Sequence, residues 1–449
     1  MKNSYIPHTE KEIDEMLKVI GVKEVEDLFS DLPENFSVKN LRLSPGKSEF
    51  EVKKQISQMA SKNVNSEDYS IYLGGGFYKH YVPAVISHIA ERGEFLTAYT
   101  PYQPEVSQGS LQMFYEFQTM IAELTGMEIA NASMYDGGTA AAEAMLMSCR
   151  IKKKYRYLVS ENVHPEYIEV MNTYAKSMGI ELVVIPYDEA TGMCDTELIK
   201  SNIDEKTAGL LVGYPNFFGV VENLKKIREA TEGILLSVSV NPISLGVLEA
   251  PGKFDVDIVT GEGQPLGGSL YLGGMSLGLF ACKKKYIRNM PGRIIGETVD
   301  VDGKRSFAMV LQTREQHIRR AKATSNICSN HAHNALVASI YLSLIGKNGI
   351  REIGLNCTRK AHYLAQKIDR MDRYNIKFAS PFFNEFVVET SLDVEEVIED
   401  LFEQKILGPL SLKKVFRNEK YNNLMMFAVT ELNSMDEINF LATRLEELL

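Results

Sequence analysis

The sequence lacks the features that mark disulfide-rich, zinc-ribbon and membrane proteins. It has five cysteines, an odd number, and no C-x-x-C spacing, so neither a disulfide framework nor a zinc site is indicated. These are Cys149, Cys194, Cys282, Cys328 and Cys357. No stretch approaches the roughly 18 uninterrupted apolar residues of a membrane-spanning helix, and the N-terminus has no apolar signal segment. We therefore expect buried free thiols and a cytoplasmic protein.

Positive charge is also in deficit. Lys and Arg number 49 against 59 Asp and Glu, which gives a net charge of -10. An acidic balance argues against broad binding to nucleic acids or to membrane surfaces. The length of 449 residues exceeds the usual size of one hydrophobic core, so two or more domains are predicted.

Short apolar runs alternate with helix-length segments from about residue 70 onward. The runs are "YRYLVS", "ELVVIPY", "AGLLVGYP", "GILLSVSV", "DVDIVTG" and "LGLFACKK". Nearly continuous apolar strands separated by helices predict a mainly parallel sheet that is covered on both faces. "GSLQMFYEFQTMIAELTG" and "GGTAAAEAMLMSCRIKKK" are predicted as two of the helices.

The two ends of the chain differ from this α/β segment. Residues 9–30 predict short helices that begin with a capping box at Thr9 and Glu12. After residue 330, helices mix with the strand candidates "NIKFAS", "NEFVVET" and "NLMMFAVTE". We predict a helical arm (1–70), a large α/β domain (71–330) and a small α+β domain (331–449), which is the build of fold-type-I pyridoxal phosphate-dependent transferases.

The loop after the strand at 257–259 has no lysine, although enzymes of that fold form a Schiff base with pyridoxal phosphate there. Residues 260–264 are Thr, Gly, Glu, Gly and Gln264, and no lysine follows until Lys283. Asn241 ends another strand, where such an enzyme places an Asp against the pyridine nitrogen. Both absences predict a vestigial, non-catalytic cofactor site.

Two other features belong to this vestigial site. Gly137, Gly138 and Thr139 begin a predicted helix, and their free N–H groups form either a phosphate seat or a purely structural turn. His164 follows the strand "YRYLVS" and either stacks on a cofactor ring or serves as a structural residue.

Two further segments are candidates for a pocket or an interface. "FLTAYTPYQPEVSQG" carries Tyr99, Tyr102 and Gln103 between prolines, as either a binding loop or a rigid connector. Residues 290–328 concentrate basic side chains that suit an anion, an acidic partner surface or a solvated face. The basic residues are Arg293, Arg314, His317, Arg319 and Arg320.

Several of these motifs resemble the P-protein family of the glycine cleavage system, glycine dehydrogenase (decarboxylating), and in particular its N-terminal half. They are "YTPYQPEVSQG", "ANASMYDGGTAAAEAM", "GEGQPLG", "MPGRIIG" and "LQTREQHIRRAKATSNIC". The resemblance runs from "HTEKEIDEMLKVIGV" to about residue 330, and more loosely to the end. In this family a second half, or β subunit, carries the pyridoxal phosphate lysine, so the resemblance implies an α subunit.

The resemblance also implies the reaction and the partners. Glycine is decarboxylated with pyridoxal phosphate on the β subunit, and the aminomethyl group passes to the lipoyl arm of the H-protein as CO2 is released. The family expectation is two αβ pairs. By motif, Tyr78 of "GGGFYKH" and Tyr99 and Tyr102 of "AYTPYQ" correspond to α residues lent to the glycine pocket.

Two alternatives remain at the level of sequence. One is an independently active pyridoxal phosphate enzyme that uses another lysine, such as Lys283. The other is a non-enzymatic scaffold or regulatory pseudoenzyme, whose partner would be something other than a glycine decarboxylase.

Overall fold

The computed structural model describes residues 5–33, 43–270 and 275–448. The chain divides into two compact units, Met1–Val64 and Asn65–Leu449. Within the first unit, α1 spans Glu10–Ile20 and α2 spans Glu49–Ala60. The predicted capping box at Thr9 and Glu12 is confirmed, since each side chain bonds the backbone N–H of the other residue.

The second unit contains the remaining elements. Its helices are α3 (Ala84–Ala90), α4 (Gly93–Leu96), α5 (Gln108–Thr125), α6 (Gly137–Lys152), α7 (Pro165–Met178), α8 (Thr196–Asn202), α9 (Leu224–Ala230), α10 (Gln316–Arg319), α11 (Ala332–Ile368), α12 (Val394–Glu403), α13 (Leu412–Phe416) and α14 (Met435–Glu447). Its strands are β1 (Ser70–Ile71), β2 (Ile129–Ala130), β3 (Arg156–Ser160), β4 (Glu181–Ile185), β5 (Thr207–Tyr214), β6 (Leu235–Val240), β7 (Ile258–Glu262), β8 (Gly278–Cys282), β9 (Ile294–Val299), β10 (Arg305–Val310), β11 (Tyr374–Ile376), β12 (Glu385–Thr390), β13 (Ile406–Leu407), β14 (Leu410–Ser411) and β15 (Leu424–Ala428). No helix in these described ranges is long and apolar enough to cross a membrane.

The centre of this unit is a seven-stranded sheet in the order β2-β8-β7-β6-β5-β3-β4. Strands β7, β6, β5, β3 and β4 are parallel, and β8 runs antiparallel to β7 and β2. The predicted mainly parallel sheet is therefore confirmed. Each of the six apolar runs quoted from the sequence overlaps one of its strands.

Helices cover both faces of the sheet because successive strand residues point in opposite directions. Leu158 of β3 packs in one cluster with Leu111 and Phe114 of α5. Tyr157, next to it in the strand, packs in another cluster with Met145 of α6. Both faces are apolar, which explains why β5 and β6 are buried along their whole lengths.

The C-terminal part adds a four-stranded antiparallel sheet in the order β11-β12-β15-β14. Helix α11 consists of two helical segments that meet at Gly346, whose φ of 57° and ψ of -173° are not helical. A capping box between Ser434 and Glu437 opens α14. The division of the chain into an arm, a large domain and a small domain at residues 70 and 330 stays a prediction.

The hairpin of β9 and β10 was not recognised in the sequence. These strands pair from Ile294–Val310 to Val299–Arg305, within a segment for which no strand was predicted. The ends of β9 and β10 next to the turn are exposed and carry polar residues. The sequence of the hairpin therefore lacks the continuous apolar run that marks a buried strand.

Candidate functional site

A pocket lies where β3, β5, β6 and β7 end, at the carboxyl edge of the parallel strands. This is the edge at which open α/β sheets bind ligands. Of the sequence candidates, Tyr78, His164 and Asn241 line the pocket. Two carboxylates, Glu262 and Glu385, line it as well.

The phenol of Tyr78 is bonded inside the protein. Its hydroxyl donates to Oε2 of Glu385 at 2.7 Å, and its backbone N–H donates to Oε1 of Gln264 at 3.0 Å. Burial and the Glu385 carboxylate raise the pKa of Tyr78 well above 10, so the phenol is neutral and acts as a donor. Gln264 also donates to the Tyr78 carbonyl and to that of Gly268, which ties the residue 264 loop to the Tyr78 backbone.

His164 has both ring nitrogens engaged. Nδ1 accepts the N–H of Glu166 at 3.2 Å, and Nε2 lies 2.6 Å from the carbonyl oxygen of Gly75. These contacts require a neutral ring with its proton on Nε2, and burial lowers its pKa in agreement. The ring stacks on Tyr167 with centroids 4.6 Å apart, so Tyr167 covers one of its faces.

Asn241 forms a local turn at the end of β6. Its side-chain oxygen accepts the N–H of Ile243 at 3.0 Å, and its carbonyl oxygen accepts the hydroxyl of Ser244 at 2.7 Å. This is the ordinary behaviour of an asparagine in a turn. The strand end is therefore shaped by Asn241 without any charged group.

The first turn of α6 is filled by a carboxylate from β7. Oε2 of Glu262 accepts the N–H of Gly137 at 3.0 Å, while Oε1 accepts the N–H groups of Gln264 and Leu277 at 3.0 and 2.7 Å. Asp136 caps the same helix by accepting the N–H of Thr139 at 2.7 Å. Burial raises the pKa of Glu262 to about 7, although these backbone donors favour its ionised form.

Sequence reasoning missed the roles of both pocket carboxylates. Glu262 stood in the quoted loop, where an acid among glycines after an apolar strand was an available signal. Glu385 carried none, because it lies on β12 and meets Tyr78 across 307 positions of the chain. Burial raises the pKa of Glu385 to about 7, and its Oε1 accepts the N–H of Gly75 at 2.7 Å.

A second cluster of side chains brings together two segments that are far apart in the sequence. They are the proline-rich segment 95–109 and the basic segment 290–328. Arg293 is 4% exposed, and its guanidinium lies 5.5 Å from the ring centroid of Tyr102. Arg293 also donates to the hydroxyls of Thr100 and Tyr102 at 3.2 and 3.4 Å and lies 3.5 Å from Oδ1 of Asn330. His317 meets the edge of the Tyr102 ring at 5.7 Å. The Nε atom of Arg293 is buried and has no hydrogen-bond partner among the described residues.

The other candidates in these segments lie around this cluster or away from it. Arg314 donates to the carbonyls of Met290 and Gly292 and so fastens the turn that precedes β9. Tyr99 is 87% exposed, and Gln103 is exposed beside Tyr102. Arg319 and Arg320 are exposed as well. Tyr78 belongs to the first pocket, whereas Tyr102 is not among the residues that line it.

The residues of the pocket do not fit pyridoxal phosphate. Within the described part of the chain, no lysine lines the pocket. Asn241 gives no charge for a pyridinium, and the N–H of Gly137 already holds the Glu262 carboxylate. Lys283 lies 2.7 and 2.8 Å from the carboxylates of Asp255 and Asp257 and is not among the lining residues.

Comparisons with known proteins agree along the whole chain. The family model described as the glycine cleavage system P-protein matches residues 3–445. A protein of Thermotoga petrophila, described as a probable glycine dehydrogenase (decarboxylating) subunit 1, is 48% identical over 438 residues, 98% of either chain. A protein of Bacillus mycoides with the same description is 47% identical over 448 residues, 99% of either chain.

Solved structures give the same family and the wider fold. A crystal structure of glycine decarboxylase (P-protein) of the glycine cleavage system, in inhibitor-bound form, is similar with a TM-score of 0.90 and 41% identity over 100% of both chains. A glutamate decarboxylase of Lactobacillus brevis has a TM-score of 0.68 at 12% identity, a likeness of fold alone, covering 93% of this chain and 96% of that one. The predicted fold, that of fold-type-I pyridoxal phosphate-dependent transferases, is confirmed. The chain is a member of the glycine cleavage system P-protein family.

Proposed function

We propose that this chain is the α subunit of a glycine decarboxylase that works with a second, homologous β subunit. The observation that carries the proposal is the match, over 98% of both chains, to a relative described as subunit 1 of glycine dehydrogenase (decarboxylating). The complex decarboxylates glycine, releases CO2 and transfers the aminomethyl group to the lipoyl arm of the H-protein. We expect two αβ pairs in the cytoplasm.

In this proposal the β subunit holds pyridoxal phosphate. The cofactor supplies an electron sink for decarboxylation when it is bound. The lack of a lysine among the described lining residues and the Glu262 carboxylate at Gly137 support this division of labour. The α chain then contributes binding surface and positioned polar groups.

The cluster of Tyr102, Arg293 and His317 is the part of the α chain that we assign to the glycine pocket. The described hydrogen bonds of the buried Arg293 guanidinium are long and go to neutral oxygens. The Glu315 carboxylate interacts with Arg293 electrostatically, but no described hydrogen bond joins the two, and Nε of Arg293 is left as a donor for an incoming carboxylate. Glycine brings one carboxylate and very little apolar surface, so a cation beside tyrosines suits it.

The segment 95–109, called here the Tyr102 loop, would orient glycine in the pocket and exclude water from it. Tyr99 and Tyr102 expose phenols that could donate hydrogen bonds across an interface, and Gln103 adds an amide. Arg319 and Arg320 are exposed cations on the same basic segment. We assign them to the contact with an acidic partner surface.

The stand-alone alternative needs a lysine at the pocket. Its candidate, Lys283, is held by two aspartates away from the lining residues, so this alternative has little support. The scaffold alternative has the comparisons against it, because the relatives and the 41% identical structure carry the names of an enzyme.

The decisive experiment is reconstitution. The chain is purified alone, then mixed with its lysine-bearing homologue, and glycine-dependent CO2 exchange with lipoyl H-protein is measured for each sample. We expect activity only in the mixture, with both chains in one complex by size. A complex of the two chains without decarboxylation, or activity of this chain alone, would refute the proposal.

A further inference from the structure

The N-terminus of α6 holds a carboxylate where the fold would hold a phosphate. Free N–H groups and the helix dipole make such a terminus a natural anion site. In this chain the anion is Glu262, which is 5% exposed and accepts backbone N–H groups from Gly137, Gln264 and Leu277.

The site is built closely around that carboxylate. A Cβ at position 137 would collide with the Tyr167 hydroxyl, so glycine is needed where the backbone meets Tyr167 and Glu262. Glu262 and a phosphate oxygen cannot both accept the same N–H of Gly137, since two anions at that distance repel each other.

Nearby charges also oppose a second anion. Asp136 caps α6 beside Glu262, and Glu385 lines the same pocket. Among the described residues, the polar partners of the Glu262 carboxylate are backbone N–H groups, with no cation that could neutralise a phosphate. A phosphate dianion would therefore enter an acidic pocket in which the N–H of Gly137 already donates to Glu262.

We propose that Glu262 is an internal substitute for phosphate, which closes this seat to phosphate monoesters and so directs pyridoxal phosphate to the partner subunit. The identity of the excluded ligand rests on the proposed function, whereas the closure rests on the contacts of Glu262 alone. Removal of the carboxylate should convert the closed seat into a phosphate site.

Phosphate rescue of a variant tests this inference. Glu262→Ala leaves backbone donors without a partner, so the full-length variant should unfold at a lower temperature than wild type. Inorganic phosphate should raise its Tm progressively with concentration, beyond the effect of sodium chloride at equal ionic strength, because binding to the folded state stabilises it. Wild type should show no such specific rise.

Glu222→Ala is the matched control. Glu222 is also a buried carboxylate, and it accepts the N–H of Cys194 and the amides of Asn162 and Asn216, away from the first turn of α6. This variant should be destabilised without a phosphate-specific rescue. Equal phosphate effects on wild type and both variants would overturn the proposal.

A second variant covers the case in which Glu262→Ala does not fold. Glu262→Gln keeps the volume, but its amide NH2 cannot accept the N–H of Gly137, so this variant too should gain phosphate-specific stabilisation. No gain in Glu262→Gln would reject the proposal.

A comparison of pyridoxal phosphate with pyridoxal distinguishes binding through the phosphate group from binding through the rest of the cofactor. Pyridoxal phosphate should stabilise the rescued variant and pyridoxal without phosphate should not; stabilisation by pyridoxal alone would contradict a phosphate seat. These measurements use no decarboxylation, so a failure of the proposed function in the reconstituted complex would be seen separately.

Discussion

Arg293 and Tyr102 are 191 positions apart in the chain, and the guanidinium donates to the phenol oxygen at 3.4 Å while it lies beside the ring. The contact joins a proline-braced loop to a basic segment, two features that the sequence presented separately. It leaves Tyr102 45% exposed while Arg293 is buried. Tyr102 is held on one side by Arg293 and exposed on the other, so its side chain can contact another molecule.

Tyr102→Phe should leave assembly intact and lower the rate of glycine decarboxylation. If the hydroxyl bonds glycine, its loss should cost about 1–3 kcal/mol, or roughly ten- to a hundred-fold in rate. Tyr99→Phe is expected to act in the same direction. Each variant is mixed with the wild-type β subunit, checked by size, and assayed with lipoyl H-protein.

Tyr155→Phe is the control for these substitutions, because Tyr155 is a 65% exposed tyrosine next to β3 and outside the Tyr102 loop. It should retain full activity. Full activity of both loop variants in an assembled complex would show that their hydroxyls have no catalytic part.

Arg293→Lys should weaken the use of glycine more than it weakens folding. Lysine keeps the charge but lacks the planar fork of donors that meets Thr100 and Tyr102. We expect kcat/KM for glycine to fall at least about tenfold, which corresponds to about 1.4 kcal/mol. Arg305→Lys, a change at an exposed arginine of β10 that pairs with Glu297, serves as the control, and equal kinetics of the two variants would contradict the assignment of Arg293.

Tyr78→Phe should destabilise the chain, whereas Tyr72→Phe should not. Loss of the Tyr78 hydroxyl removes the 2.7 Å hydrogen bond to the buried Glu385, at a cost of about 1–3 kcal/mol. The Tyr72 hydroxyl is equally buried, but it has no hydrogen-bond partner in the described structure. Urea unfolding of both variants measures the difference, and equal free energies of unfolding would show that the Glu385 bond is of no consequence.

Glu385 should make stability depend on pH. Burial raises its pKa in the folded chain from 4.5 to about 7, so the folded state binds the proton more tightly than the unfolded state. Its contribution to the free energy of unfolding is therefore greatest below pH 4.5 and is lost as pH rises to about 7, by on the order of 3 kcal/mol. Glu385→Gln cannot titrate, so the stability of wild type relative to this variant should fall across that window. A constant difference between the two would contradict the raised pKa.

Treatment of the chain alone with pyridoxal phosphate and borohydride should label no single lysine stoichiometrically. Lys283, the candidate of the stand-alone alternative, is paired with Asp255 and Asp257. Peptide mapping after reduction measures the label. Stoichiometric modification at one lysine of this chain would overturn the view that it has no Schiff-base site, and the αβ mixture provides the positive control.

The sequence by itself determined the elements that depend on local interactions. Buried strands appear as apolar runs because both faces of the sheet are covered, and the capping boxes at Thr9 and Ser434 appear because a cap involves residues three positions apart. The start of α6 at Gly137 was likewise readable from the chain. The hairpin of β9 and β10 was missed, since its half-exposed strands lack that apolar signal.

The tertiary structure alone decided which groups meet. Glu262 reaches Gly137 across 125 positions, and Glu385 reaches Tyr78 across 307. The first contact depends on the strand order of the central sheet, and the second depends on where the C-terminal sheet packs. No local sequence pattern specifies the strand order or this packing. For this reason the sequence could say that a lysine and an aspartate were missing, while only the folded chain shows a carboxylate bound at the helix terminus where a phosphate would lie.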